Sequence, residues 1–319
     1  MGNTYPITEE QKAFLSGFTC QRLSDDPSNL HKIQKFYSAR GQGLVHSLRN
    51  FGWEEDTCGS TAYYVIKNAQ GQIVMFFSLK CGALFDPGYV KRFMEEFDET
   101  RNLFANWRRA QTGDEAATQY MQELRRVLGD DEYLRRIKTL ETDFYRKMYM
   151  AKDIKADKRN EPNSMIIRVD RSHSAIELVE FCANDRTRSC WNTFNQNSFA
   201  GRRHTMGKVF FWWFIVPKMI EISRLIGCEY AYLFAADRDP DGDLVRYYED
   251  ALHFRKLQHL GTIKPYYDMN CFFMGRRLFT VDPELTHPDE DEDDHYGLDH
   301  YREEFFKHFN LRTDVYDMV

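Results

Sequence analysis

Two glutamates, Glu177 and Glu180, interrupt an otherwise apolar run, Ala175-Ile-Glu-Leu-Val-Glu-Phe-Cys-Ala183. A run apolar on both faces suits an interior strand. A carboxylate there loses hydration, so its pKa rises and it becomes a general base for work near neutral pH. The structural alternative is a pair of strand glutamates facing arginines. Further on, Tyr247-Tyr248 opens a helix behind a second apolar run, Glu229 to Ala236. A tyrosine placed there can protonate a leaving group, although with 18 tyrosines in the chain a core role is equally open.

The segment Phe199-Ala-Gly-Arg-Arg-His-Thr-Met-Gly-Lys208 places two glycines and three cations before a helix. Glycine lets an anion approach the main chain, and the helix start offers free N–H groups to it. The segment is neither a P-loop nor a GxGxxG fingerprint, so a basic surface loop remains the other reading. Asp237-Arg-Asp-Pro-Asp-Gly242 resembles a calcium loop at its first six positions, but Tyr248 stands where the bidentate glutamate is needed. A tight strand-to-helix turn with Asp243 near the N-cap is the better reading. There is no GxSxG and no HExxH, and Cys182 lies in an apolar strand where thiols are inert. No metal site is expected.

These residues need elements to hold them. Gly17 to Arg22 reads as a first strand, and Asn29 to Phe51 as helical. Thr61–Lys67 and Gln72–Lys80 flank Asn68-Ala-Gln-Gly71 as a β-hairpin. Residues 88–158 alternate acids and bases with helical spacing and one turn at Gln111 to Asp114, a helical hairpin with Asp114 as N-cap. Strands follow at Met165–Val169, Ala175–Ala183 and Glu229–Ala236, with closing strands at Gln258–Lys264 and Met269–Met274. A polar stretch spans Asn184 to His204. Helices run from Gly207 to Ile226, capped by Gly227 and disturbed by Pro217, and from Asp243 to Phe254. Tyr301 to Phe309 is a final amphipathic stretch. Strands alternating with helices define an α/β (α+β) sheet protein.

Of 319 residues, 42% are hydrophobic and 15% aromatic, which excludes a disordered chain. The net charge is -6, yet residues 282–304 alone carry eleven acids against one arginine, or -10. Subtracting that segment leaves about +4 on the rest. An acidic total argues against general nucleic-acid coating, so no nucleic-acid partner is expected. The longest apolar run, Val209 to Val216, is far short of the ~20 residues of a membrane span. Seven cysteines without a CxxC, and no basic-then-apolar leader, fit a cytoplasmic protein with reduced thiols. The oligomeric state is not legible.

The order and spacing of these elements over 17–85 and 164–275 resemble the GNAT superfamily of acyl-CoA-dependent N-acetyltransferases. The most specific match is Leu244-Val-Arg-Tyr-Tyr-Glu-Asp-Ala-Leu-His-Phe254, similar to the family's helix ending in FYExxGF, with a spacer one residue longer and His253 for glycine. The pyrophosphate loop, R/Q-x-x-G-x-G/A in the family, is matched in His204-Thr-Met-Gly207-Lys-Val209 only at Gly207. The resemblance implies a mixed, mostly antiparallel central sheet flanked by helices, with a helical insertion. Residues 1–87 and 161–280 would form the sheet domain, 88–160 the insertion, and 281–319 the acidic segment and terminal helix. It implies acetyl-CoA as co-substrate, lying against Phe181, Cys182 and Ala183 of a splayed fourth strand. Its pyrophosphate would sit on Arg202, Arg203 and His204 and on the main chain of Thr205, Met206, Gly207 and Lys208. Glu177 or Glu180 would be the base and Tyr248 the acid. The acceptor would be an amine, drawn as a cation by the acidic segment unless that segment is only a solubilising linker. The competing expectation is a catalytically degenerate GNAT-like binding or regulatory module.

Overall fold

Among the described residues, runs of β-branched and aromatic residues build one six-stranded sheet. In the computed structural model these strands are β1 Thr19–Arg22, β2 Ala62–Lys67, β3 Ile73–Phe85, β4 Ser172–Ala183, β5 Tyr230–Ala236 and β6 Cys271–Arg277. The structure describes residues 7–86, 88–160, 172–198, 203–236, 242–263, 271–283 and 295–307. Strand order follows the sequence, and every neighbour is antiparallel except the parallel pair β4 and β5. The sheet is therefore mixed and mostly antiparallel, as the resemblance implies. The β2–β3 hairpin turns at Asn68–Gly71, where Gly71 takes a φ of 72° and its N–H donates to Asn68 O.

Two helical layers cover the sheet. On one face lie α1 Glu9–Ser16, α8 Ser189–Gln196, α9 Met206–Phe210, α10 Val216–Ile226, α11 Asp243–Leu252 and α12 Leu298–Lys307. Phe210, Phe211, Trp212 and Ile215 pack there on Ile66, Phe77, Leu79 and Leu178, all fully or almost fully buried. Each such side chain contributes about 1.5–3 kcal/mol. On the other face lie α2 Ser28–Ile33, α3 Gln42–Ser47 and α4 Trp53–Cys58; Ile33, Val45 and, just past α3, Leu48 meet Tyr63, Phe76 and Cys182. Asp56 of α4 fastens this layer. Its carboxylate accepts from Arg22 Nη2 at 2.7 Å and from the N–H groups of Ser24 at 2.9 Å and Tyr63 at 2.8 Å.

Several expectations change. Asn29 to Phe51 is not one helical stretch, because residues 34–41 leave the helix as a loop. The polar stretch Asn184 to His204 contains α8, whose Trp191 and Phe194 stack at 4.0 Å inside the core. The helix expected from Gly207 opens into a wide turn over Phe211–Ile215 just before Pro217, which has no N–H to continue the regular ladder. Gly227 caps α10 in the left-handed conformation, as expected. Of the strand expected over Gln258–Lys264, the described residues 258–263 form none. They meet the end of β3, where Phe85 and Gly261 exchange one pair of hydrogen bonds. Met165–Val169 lies outside the described residues.

Residues 86–171 cluster as a separate compact unit. It holds α5 Tyr89–Gln111, α6 Glu115–Leu128 and α7 Asp130–Asn160, three helices rather than the expected hairpin. Asp114 caps α6 by accepting from Ala117 N–H at 2.9 Å, while Gly129, at a φ of 79°, makes the second break. Phe104 and Phe144 stack at 4.3 Å between α5 and α7.

Candidate functional site

β4 and β5 share only three register pairs, from Ala175↔Tyr230 to Glu177↔Tyr232. β4 continues to Ala183 against β3, and β5 to Ala236 against β6, but no further pairs join the two. The parallel strands splay apart and leave the β5-facing edge of Leu178–Ala183 without a strand partner. A cleft of about 880 Å³ fills this opening. Its lining combines β4, the start of α9, the first turns of α11 and the loop before α3.

Strand alternation alone puts residues three apart on opposite faces. Here a β-bulge resets it: Leu79 pairs with Leu178 and Ser78 with Glu180, leaving Val179 as the extra residue. Glu177, Glu180 and Cys182 thereby share the face covered by α2–α4. Phe181 and Ala183 turn to the other face, towards α9 and α11. Both glutamates line the cleft. Glu177 accepts a long hydrogen bond from Tyr232 Oη at 3.3 Å, and burial raises its pKa against the opposing effects of that bond and Lys80. Glu180 is pushed up to about 7, chiefly by burial, then by the nearby Glu55 charge, with the Ser47 hydroxyl acting the other way. Its Oε2 is buried without a hydrogen-bond partner among the described residues, and so is Oγ of Ser78 across the register. An orphaned buried oxygen beside a cleft is an acceptor waiting for a donor.

The opposite wall carries Gly207, Tyr247 and Tyr248. The Tyr248 ring lies 6.4 Å from that of Phe181. Tyr247 is pushed up to about 12 by burial, an effect the Thr205 hydroxyl moderates. A Cβ on Gly207 would come within 2.9 Å of Tyr247 Oη and 3.5 Å of Phe181, so only glycine leaves this wall its present shape. Thr205 caps α9, its Oγ1 accepting from Lys208 N–H at 3.4 Å.

A comparison of whole structures adds one finding. The chain is similar to "AtaTR bound with AcCoA" at 10% identity, covering 82% of this chain and 95% of that one, with a TM-score of 0.40. It is similar to a KacTA-DNA complex at 8% identity, 82% and 93% coverage and a TM-score of 0.40. For AtaT complexed with acetyl-methionyl-tRNAfMet the values are 8%, 80%, 93% and 0.33. No family model and no curated protein matches the chain.

The cleft brings together Glu177, Glu180, Phe181, Cys182, Ala183, Gly207 and Tyr248 from the sequence-predicted set. The others sit differently. Met206 is buried in the core, and His204 packs edge-on against Phe194 and Phe305. Burial lowers the pKa of His204, and Lys208 adds to this; Lys208 itself is lowered by burial and lies over the Phe305 ring at 5.7 Å. Arg203 is exposed, while Arg202 and the calcium-like Asp237–Asp241 lie outside the described residues. So do residues 284–294, which hold seven of the eleven acids of the acidic segment. Among the described residues, no group of three or more His, Cys, Asp or Glu side chains is placed to hold a metal, and no helix is long and apolar enough to cross a membrane.

Sequence reasoning missed the loop before α3 and the turn after β4. Ser38, Arg40, Gly41 and Arg188 line the cleft from there. Asn184 Oδ1 accepts from Tyr37 N–H at 3.2 Å and Asp185 Oδ2 from Ala39 N–H at 2.7 Å, so the turn clips the loop in place. Gly41 was the available signal. A Cβ there would fall 2.7 Å from Cys182 Sγ.

Proposed function

We propose that this protein is an acyl-CoA-dependent N-acetyltransferase that moves acetyl from acetyl-CoA to a primary amine. The observation that carries this reading is the splayed β4–β5 cleft, with desolvated carboxylates on one wall and tyrosines beside Gly207 on the other. The thioester arm would lie along the open edge of β4 at Phe181–Ala183, where main-chain N–H groups polarise its carbonyl. The coenzyme pyrophosphate would rest on the amides of Thr205–Lys208, with Arg202 and Arg203 as the nearest cations in sequence. An ammonium entering from the α2–α4 side loses its proton to Glu180 or Glu177. The free amine then attacks the carbonyl carbon and the C–N bond forms; as the C–S bond breaks, Tyr248 protonates the departing thiolate, and the second proton shed by the new amide nitrogen returns through solvent to Tyr248. Alignment of amine and thioester supplies much of the rate.

One observation favours a second reading, a GNAT-like binding module without catalysis. Val209 stands where the family loop has its second glycine and is fully buried, while His204 and Lys208 are committed to aromatic packing. Amine-dependent release of free thiol from acetyl-CoA separates the two. Thiol release that requires both the amine and Glu180 supports the enzyme. Coenzyme binding without turnover across a broad amine panel supports the module.

A further inference from the structure

The charged lining of the cleft is not only acidic. Arg40, from the loop before α3, and Arg188, from the turn after β4, face the same cavity as Glu177 and Glu180. The two arginines belong to one assembly. Asp185 accepts from Ala39 N–H at 2.7 Å through Oδ2 and lies 2.7 Å from Arg188 Nε through Oδ1, so one carboxylate ties the loop carrying Arg40 to Arg188. Asp185 offsets one of the two positive charges. Arg40 is exposed and makes no ion pair with a described residue, which leaves a guanidinium free at the mouth.

Their side of the sheet decides which ligand they would meet. Gly41 packs against Cys182 Sγ, and Cys182 shares a face with Glu177 and Glu180. The coenzyme wall of Gly207, Tyr247 and Tyr248 meets Phe181 on the other face. The arginines thus line the carboxylates' side of the cleft, at its Cys182 end. A guanidinium presents several donors in a plane and suits carboxylate or phosphate oxygens.

We propose that the acceptor is an amine that also carries an anionic group, its ammonium meeting Glu177 and Glu180 and its anion held by Arg40 and Arg188. This rests on the acetyltransferase reading of the same cleft. It replaces a simple cation, such as a polyamine, with a zwitterionic acceptor. The anion would be a carboxylate or a phosphate, since both offer the same oxygens to a guanidinium.

Matched amines test it with the full chain. Acetylation is measured for β-alanine and O-phosphoethanolamine, for neutral-tailed propylamine and ethanolamine, and for spermidine. The anionic amines should show kcat/KM about tenfold or more above the others, and the better of the two identifies the anion. Arg40→Ala should lower that kcat/KM by about 10- to 100-fold, mainly through the acceptor KM, with propylamine turnover and the acetyl-CoA Kd unchanged. Arg40→Lys should restore part of the loss. Turnover that favours spermidine or propylamine, or an Arg40→Ala effect confined to the acetyl-CoA Kd, overturns this proposal and leaves the acetyltransferase reading intact. If acetyl-CoA does not bind and no amine is acetylated, both fall together.

Discussion

Replacing Glu180 with glutamine should stabilise the protein while disabling it. Burial lifts the Glu180 carboxyl from an ordinary 4.5 to about 7. Between those two pH values the folded protein holds a proton that the unfolded chain has released, so the stability of the wild type falls as pH rises. At about 1.4 kcal/mol for each pH unit, the ionised carboxylate costs the fold about 3 kcal/mol above pH 7. Glutamine mimics the neutral form at every pH. The stability of Glu180→Gln minus that of wild type should therefore be flat below pH 4.5, grow by about 3 kcal/mol up to pH 7, and level off beyond it. Other titrating groups cancel in this difference. Urea unfolding of both proteins at half-unit steps from pH 4 to 8 measures it. In parallel, wild-type kcat/KM should climb through pH 7 as the base ionises, and the variant should lose at least about 100-fold. A stability difference independent of pH would refute the desolvation argument, whatever the activity.

Tyr248→Phe should lower kcat by about 100-fold and leave the acetyl-CoA KM unchanged, and steady-state kinetics showing an unaltered kcat would remove Tyr248 from the reaction. Gly207→Ala should fold normally, because the far end of Tyr247 can yield to the new Cβ, yet weaken acetyl-CoA binding several-fold in calorimetry. Asp56→Asn should cost about 2–3 kcal/mol in urea unfolding, since it removes the charge that holds Arg22 and weakens the main-chain clips at Ser24 and Tyr63. A cost under about 0.5 kcal/mol, the size of an ordinary surface change, would show that the α2–α4 layer is fastened elsewhere.

Much of the sheet was legible because its strands are rich in aromatic and aliphatic residues and several are bounded by turn residues. The hairpin at Asn68–Gly71, the Asp114 cap and the Gly227 cap each follow from local chemistry. The misses have physical causes of a different kind. Gln258–Lys264 has strand-like composition, yet its described residues meet the sheet at a single bridge to the end of β3. Gly129 breaks a charged helical pattern that periodicity alone reads as continuous. The bulge at Val179 leaves no trace in composition, yet it decides that Glu177 and Glu180 share a face. Arg40 and Arg188 are 148 residues apart, and tertiary contacts of Asn184 and Asp185 with the loop before α3 bring them to one cleft. The polar run Asn184 to His204 hid α8 because its two anchors, Trp191 and Phe194, are sparse among polar neighbours.

The central claim is that the splayed cleft receives acetyl-CoA, and thermal unfolding with added coenzyme tests it most directly. A ligand that binds only the folded state at a hundredfold excess over its Kd adds about 2.7 kcal/mol. For a domain of this size that raises Tm by about 5 °C or more. The account predicts such a rise with acetyl-CoA and a smaller one in Gly207→Ala. An unchanged Tm at millimolar acetyl-CoA would contradict it.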